Sequence, residues 1–99
     1  MMRSLLYTAA LVAMAGSAHA STIERACLKS DREAANRSLC GCIQDVADLT
    51  LSSADQRRAA SFFTNPHRAQ EVRQSSARRD EQFWDRYRAF GDYAKSYCS

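Results

Sequence analysis

Leu39-Cys40-Gly41-Cys42-Ile43-Gln44-Asp45-Val46 is the stretch on which the fold turns. Leu39, Cys42, Ile43, Val46 and Thr50 recur at steps of three and four, the period of an amphipathic helix. Cys40 and Cys42 therefore sit mid-helix, where a two-residue step is about 200° of rotation. Their sulfurs point to opposite flanks, and a bond between them would break the helix. Each meets a different partner, and the remaining cysteines, Cys27 and Cys98, lie on either side in the chain.

The rest of the sequence agrees with helices. Beyond residue 20 the glycines are Gly41 and Gly91, and the single proline is Pro66. No alternating β-branched run appears there, since the only valines are Val46 and Val72. The expected fold is all-α: a small bundle of four to five short helices tied by two disulfides.

Ahead of it, Met1–Ala20 reads as a secretory signal. Arg3 is the positive start, Leu5–Gly16 the apolar run, and Ala18-His19-Ala20 a small-x-small cleavage site. Cleavage after Ala20 leaves one domain, residues 21–99, in the periplasm. An oxidising compartment makes the four cysteines disulfides first. A domain this small is near the limit for a self-sufficient core, and each bridge typically adds about 2–4 kcal/mol. No second apolar run follows the signal, so the mature chain is not expected to span a membrane. The full chain has 14 basic and 11 acidic side chains. Arg3 is the only charge in the signal, so the mature balance falls from +3 to +2. Both signs are interspersed, which is a solvated helical surface rather than a nucleic-acid footprint.

Helix starts are marked by capping boxes. Ser21-Thr22-Ile23-Glu24 opens the first helix, Ser30-Asp31-Arg32-Glu33 a second, and Ser53-Ala54-Asp55-Gln56 a third that runs towards Phe62-Phe63. Asn65-Pro66 starts a weakly apolar segment to about Ser75. The last helix carries an aromatic stripe, Phe83, Tyr87, Phe90, Ala94 and Tyr97, which Trp84 widens. Asp80-Glu81 near its start and Lys95 near its end suit the helix dipole.

Four cysteines allow three pairings. The favoured one is Cys27–Cys40 with Cys42–Cys98. Positions 27 and 40 lie equally far from a turn near Glu33-Ala34, which fits a hairpin whose second helix starts nearer Asn36 than Ser30. That start conflicts with the capping box at Ser30. Gly41 reads as a point of close backbone approach or as relief of crowding between two bridges. The alternative chemistry is a thiol–disulfide redox protein using Cys40 and Cys42, although no thioredoxin-like βαβ pattern surrounds them. A metal site would need His67 and several thiolates. No Cys-x-x-Cys pair exists and His19 leaves with the signal, so neither metal nor cofactor is expected.

Other candidates for chemistry are sparse. Asp45 and Asp48, and Asp80, Glu81 and Asp85, alternate with arginines as surface ion pairs do. Ser52, Ser53 and Ser61 lack a neighbouring histidine and nucleophile-elbow glycines, and there is no phosphate loop. No catalytic residue is assigned, and an enzyme is not expected. Arg57, Arg58, Arg68, Arg73, Arg78 and Arg79 form a possible partner surface for an anionic envelope component or an acidic envelope protein. The aromatics are mostly core; two or three exposed together would make a groove for a partner helix or a small ligand.

Ile23-Glu24-Arg25-Ala26-Cys27-Leu28-Lys29-Ser30-Asp31-Arg32, Leu39-Cys40-Gly41-Cys42-Ile43-Gln44, Asp55-Gln56-Arg57-Arg58-Ala59-Ala60, Phe83-Trp84 and the terminal Tyr97-Cys98-Ser99 together resemble a group of small exported four-cysteine helical proteins of Gram-negative bacteria. The resemblance covers nearly the whole mature chain. It implies the exported compartment and the cysteine framework, and it brings no established activity. Some members carry the label "arginine transporter", which implies at most a transport accessory or a binder of a basic amino acid. The leading expectation is a small, non-catalytic binding or interaction protein of the cell envelope.

Overall fold

A computed structural model describes residues 21–30 and 35–99; the signal segment and residues 31–34 lie outside the described residues. The chain is all-α. Five helices follow in order: α1 (Thr22–Lys29), α2 (Arg37–Thr50), α3 (Ser53–Thr64), α4 (Pro66–Arg73) and α5 (Arg78–Cys98). Cys27 is bonded to Cys40 and Cys42 to Cys98, with Cα–Cα distances of 5.6 and 5.8 Å.

The second helix starts at Arg37, not at Ser30. Asn36 is its N-cap, and the Asn36 carboxamide oxygen accepts from the Leu39 N–H at 2.8 Å. Ser30 instead ends α1: both its N–H and its hydroxyl donate to the Cys27 carbonyl, at 3.1 and 2.7 Å. A serine satisfies a helix's last carbonyl as readily as its first amides, so a box in sequence does not say which end it serves. The later start is the one that permits an antiparallel α1–α2 hairpin, in which Cys27 meets Cys40 and Ile23 meets Gln44.

The other two boxes also differ from expectation. The Ser21 side chain makes no cap to the backbone of α1; its hydroxyl accepts from the Arg25 guanidinium at 2.6 Å. The amides of Ile23 and Glu24 donate instead to one atom of another helix, Gln44 Oε1, at 2.7 and 2.9 Å. In α3 the cap lies one residue earlier than expected, with the Ser52 hydroxyl accepting from the Asp55 N–H at 3.1 Å. Gln56 is released from capping its own helix and is buried; its Nε2 donates to the Ala47 and Leu51 carbonyls at the end of α2. Gln44 Nε2 donates to Gln56 Oε1 at 2.9 Å and to Asp48 Oδ1 at 2.8 Å. Two buried glutamines thus cap the start of α1 and the end of α2. No buried side-chain polar atom of the described residues lacks a hydrogen bond, as a stable interior requires.

This network explains why α2 buries a second face besides its apolar stripe, of which Val46 is buried and Ile43 packs against the core. Cys40, Gln44, Ala47 and Leu51 are buried against α1 and α3, together with Val46. Leu39, Cys42, Ile43 and Thr50 are only half-buried. A face centred on a glutamine, an alanine and a disulfide does not read as hydrophobic, yet it is the face that meets two helices. Gly41 carries no close approach: a Cβ there would meet Glu24 Oε2 at 3.7 Å, an ordinary contact.

The remainder of the core is aromatic. Phe83 is 1% exposed and Phe62 4%. The Phe62 ring stands edge-on to Phe83 and Tyr87, with centroids 5.9 and 5.2 Å away, and Phe83 stacks on Tyr87. Such pairs add about 0.5–1.5 kcal/mol beyond their burial. The stripe of α5 is buried through Phe83 and Phe90 but does not end on Tyr97, which is 68% exposed; it ends on Cys98. Cys98 follows Ala94 by four residues and so shares the face of α5 that meets α2, where it is bonded to Cys42. The fourth helix stops at Arg73, two residues short of the expected end, and buries no residue fully.

Candidate functional site

Three groupings of side chains survive the folding. The first is an open furrow between α2 and α5. Leu39 and Ile43 form its α2 wall, and Gly91, Ala94, the stem of Lys95 and Cys98 form its α5 wall, enclosing about 370 Å³. It is the half-buried stripe of α2, left without a full partner because α5 has glycine and alanine opposite it. A second hollow of about 520 Å³ continues past the Cys42–Cys98 bridge, lined by Asn36, Ser38, Leu39, Cys42 and Tyr97. The bridge therefore stands between two open hollows, and Tyr97 overhangs one of them. Tyr93, 55% exposed, lies one turn back with its ring centroid 6.2 Å from that of Tyr97. Tyr93 lines a separate hollow with Ala89, Asp92 and Ser96, so Tyr97 is the exposed aromatic that adjoins the furrow, and such a surface marks a binding face.

The second grouping is a polar cleft of about 310 Å³ between α3, α4 and the start of α5. Arg58 and Arg68 face Glu71 and Asp80 there. Arg58 is not free: its Nη2 donates to Asp80 Oδ1, and its guanidinium carbon lies 4.6 Å from the centroid of the Phe83 ring. A hydrogen bond from the Ser75 hydroxyl, then that from Arg58, holds the Asp80 carboxyl below its ordinary value of 3.8. Glu71 lies 3.6 Å from the His67 Nε2, on the same exposed helix face.

Of the six arginines expected to form one partner surface, the structure brings only Arg58 and Arg68 into this cleft. Arg57, Arg73, Arg78 and Arg79 are exposed and do not line it. Arg73 donates to Gln70 at 3.3 Å, and Arg79 lowers the carboxyl pKa of Asp80 through its charge. Arg86 makes the better-built contact, donating through Nε and Nη2 to both carboxylate oxygens of Asp55 at 2.6 and 3.1 Å. That hydrogen bond raises the Arg86 pKa above its ordinary value. Arg58 and Arg86 are thus braces between α3 and α5.

The third grouping is the cysteines. Cys40 and Cys42 are bonded to different helices, α1 and α5, and not to each other. All four sulfurs are in disulfides. Among the described residues there is no group of three His, Cys, Asp or Glu side chains placed to hold a metal ion, and His67 is exposed. No helix of the described residues is long and apolar enough to cross a membrane.

Sequence reasoning found the aromatic helix but not the furrow. The signal for it lay in Gly91 and Ala94, small residues on the stripe of α5 at the level of Leu39 and Ile43. Comparison with protein-family models, curated proteins and solved structures finds no match, so the reading of the furrow rests on its own geometry.

Proposed function

We propose that this chain is a small non-catalytic binding or interaction protein, exported to the periplasm by residues 1–20 and working at the cell envelope. The observation that carries the reading is the furrow between α2 and α5, with Leu39, Ile43 and Ala94 on its walls, together with the adjoining hollow that Tyr97 lines. Its walls are apolar, and a helix or peptide with a matching apolar face is the partner its chemistry suits. The disulfides and the absence of a membrane-crossing helix among the described residues support an exported protein.

The test is a photo-crosslinking residue placed at Tyr97 in cells that export the protein, with the same residue at Arg57 as the control. A discrete adduct at position 97, absent at 57 and lost when Ile43→Lys is added, is the expected result. Equal labelling at the two positions would remove the furrow as the binding face. The reading as a binder of a basic amino acid draws on the polar cleft, whose carboxylates already face Arg58 and His67. A ligand there has to displace these neighbours, which is why the furrow is preferred. An anionic envelope component is less suited to that cleft, which holds both signs of charge.

A further inference from the structure

The two disulfides have different surroundings. Cys27 is 3% exposed and Cys40 is fully buried, shut between α1 and α2 beneath the Gln44 network. Cys42 and Cys98 are each half-buried, and both line the hollow that Tyr97 overhangs. Cys98 also forms a wall of the furrow on the other side of the bridge. Attack on a disulfide requires a thiolate to reach one sulfur in line with the bond, so access decides which bridge reacts.

We propose that Cys42–Cys98 is a site of thiol–disulfide exchange, opened by a dithiol reductant that enters along the furrow while Cys27–Cys40 stays closed. The reductant's first thiolate forms a sulfur–sulfur bond to one of the two cysteines, and the other leaves as a thiolate and takes up a proton. The reductant's second thiol, losing its proton, then attacks the mixed disulfide. The reductant ends as a disulfide, and Cys42 and Cys98 end as two thiols, reduced by two electrons. This goes beyond the binding reading and does not depend on it. The consequence is local. The last two turns of α5 are held on α2 by half-buried Ala94 and Cys98, while Tyr93, Lys95, Ser96 and Tyr97 are exposed. With the bridge open these turns are released and Leu39 and Ile43 are uncovered.

The experiment uses the folded, oxidised protein and graded dithiothreitol, with iodoacetamide quenching and peptide mass analysis at each time. Cys42 and Cys98 are expected to be alkylated at least ten-fold faster than Cys27 and Cys40. In 8 M urea the ratio should fall towards one, because burial no longer protects either pair. Hydrogen exchange of the half-reduced protein should rise over residues 91–98 and stay unchanged over 22–29. Ala94→Leu, which narrows the furrow, should slow the opening of Cys42–Cys98 several-fold and leave Cys27–Cys40 unaffected. Simultaneous opening of both bridges, earlier opening of Cys27–Cys40, or a ten-fold ratio that persists in urea would each overturn the proposal.

Discussion

The α1–α2 hairpin and the α2–α5 seam are both closed by one disulfide from the same three-residue motif, yet they are built differently. In the hairpin the bridge is one of several ties: Ile23 is fully buried and Gln44 caps α1. At the seam the bridge closes a sequence separation of 56 residues beside a furrow that side chains do not fill. One covalent device thus serves a sealed interface and an open one. Where packing and polar satisfaction are complete, the bond adds to a structure that already specifies itself. Where small residues leave room, the bond sets where the helix lies.

The sharpest way to break this comparison is to truncate one apolar side chain in each region. Ile23→Ala removes a fully buried side chain and should cost about 2–5 kcal/mol. Leu39→Ala, half-buried on the furrow wall, should cost under about 1 kcal/mol. Thermal unfolding reads the difference, since 1 kcal/mol moves the midpoint by about 4–8 °C at this domain size. Equal losses would mean that the seam is as tightly packed as the hairpin.

Gln44→Ala tests whether the hairpin depends on its polar core. The substitution orphans two amides at the start of α1 and one oxygen of Gln56. A buried group left without a partner costs about 1–3 kcal/mol, so a loss of about 2–4 kcal/mol is expected in chemical denaturation. Hydrogen exchange should localise the loosening to residues 22–29. A loss under 0.5 kcal/mol would reduce Gln44 to a bystander.

How much of this was legible in the sequence follows from what each feature depends on. The all-α class, α5 and the proline-led α4 rest on local signals: residue period, few glycines and proline at a first helical position. The hairpin start rests on a competition between two caps. Ser30 and Asn36 both qualify in sequence, and only the tie between Cys27 and Cys40 favours Asn36. The second buried face of α2 was illegible because Gln44 and Gln56 are polar. Burial becomes possible only when the start of α1 and the end of α2 bring their backbone groups to those amides, which no local pattern encodes. The furrow is of the same kind, a mismatch between helices 48 to 55 residues apart, Gly91 and Ala94 lying opposite Leu39 and Ile43. The placement of Arg58 was hidden for the reverse reason. A one-dimensional run of basic residues does not reveal that Arg58 turns inward to Asp80 and Phe83.

Gly91→Ala sharpens the seam in the stabilising direction. The glycine lies inside α5, and a Cβ built there meets nothing within 4 Å. Alanine in a helix interior is favoured over glycine by roughly 0.5–1 kcal/mol, so the melting midpoint should rise by a few degrees. Because the added methyl enters the furrow, binding at that face should weaken as stability grows. A fall in stability would mean that the furrow closes in solution around a space that has no room for a methyl.

The smallest expected effect lies at the other end of α5, where Arg58 and Asp80 hold the helix start on α3. The folded chain keeps the Asp80 carboxyl below its ordinary value of 3.8 through the Ser75 and Arg58 hydrogen bonds. A depressed folded pKa means that the unfolded chain binds the proton more readily. The contribution of Asp80 is therefore fully present above the unfolded value and disappears as the pH drops through the folded one. Asp80→Asn should lower the melting midpoint slightly at pH 7, and the gap to the parent should close as the pH falls below the ordinary carboxyl value of 3.8. A salt titration at pH 7 should shrink the same gap, because the pair is partly exposed and screened. The gap at the seam follows another rule: the difference between Gly91→Ala and the parent comes from backbone entropy and should be unchanged by either acid or salt. If both gaps respond to acid alike, the two ends of α5 are coupled, and the view of one braced end and one tethered end fails.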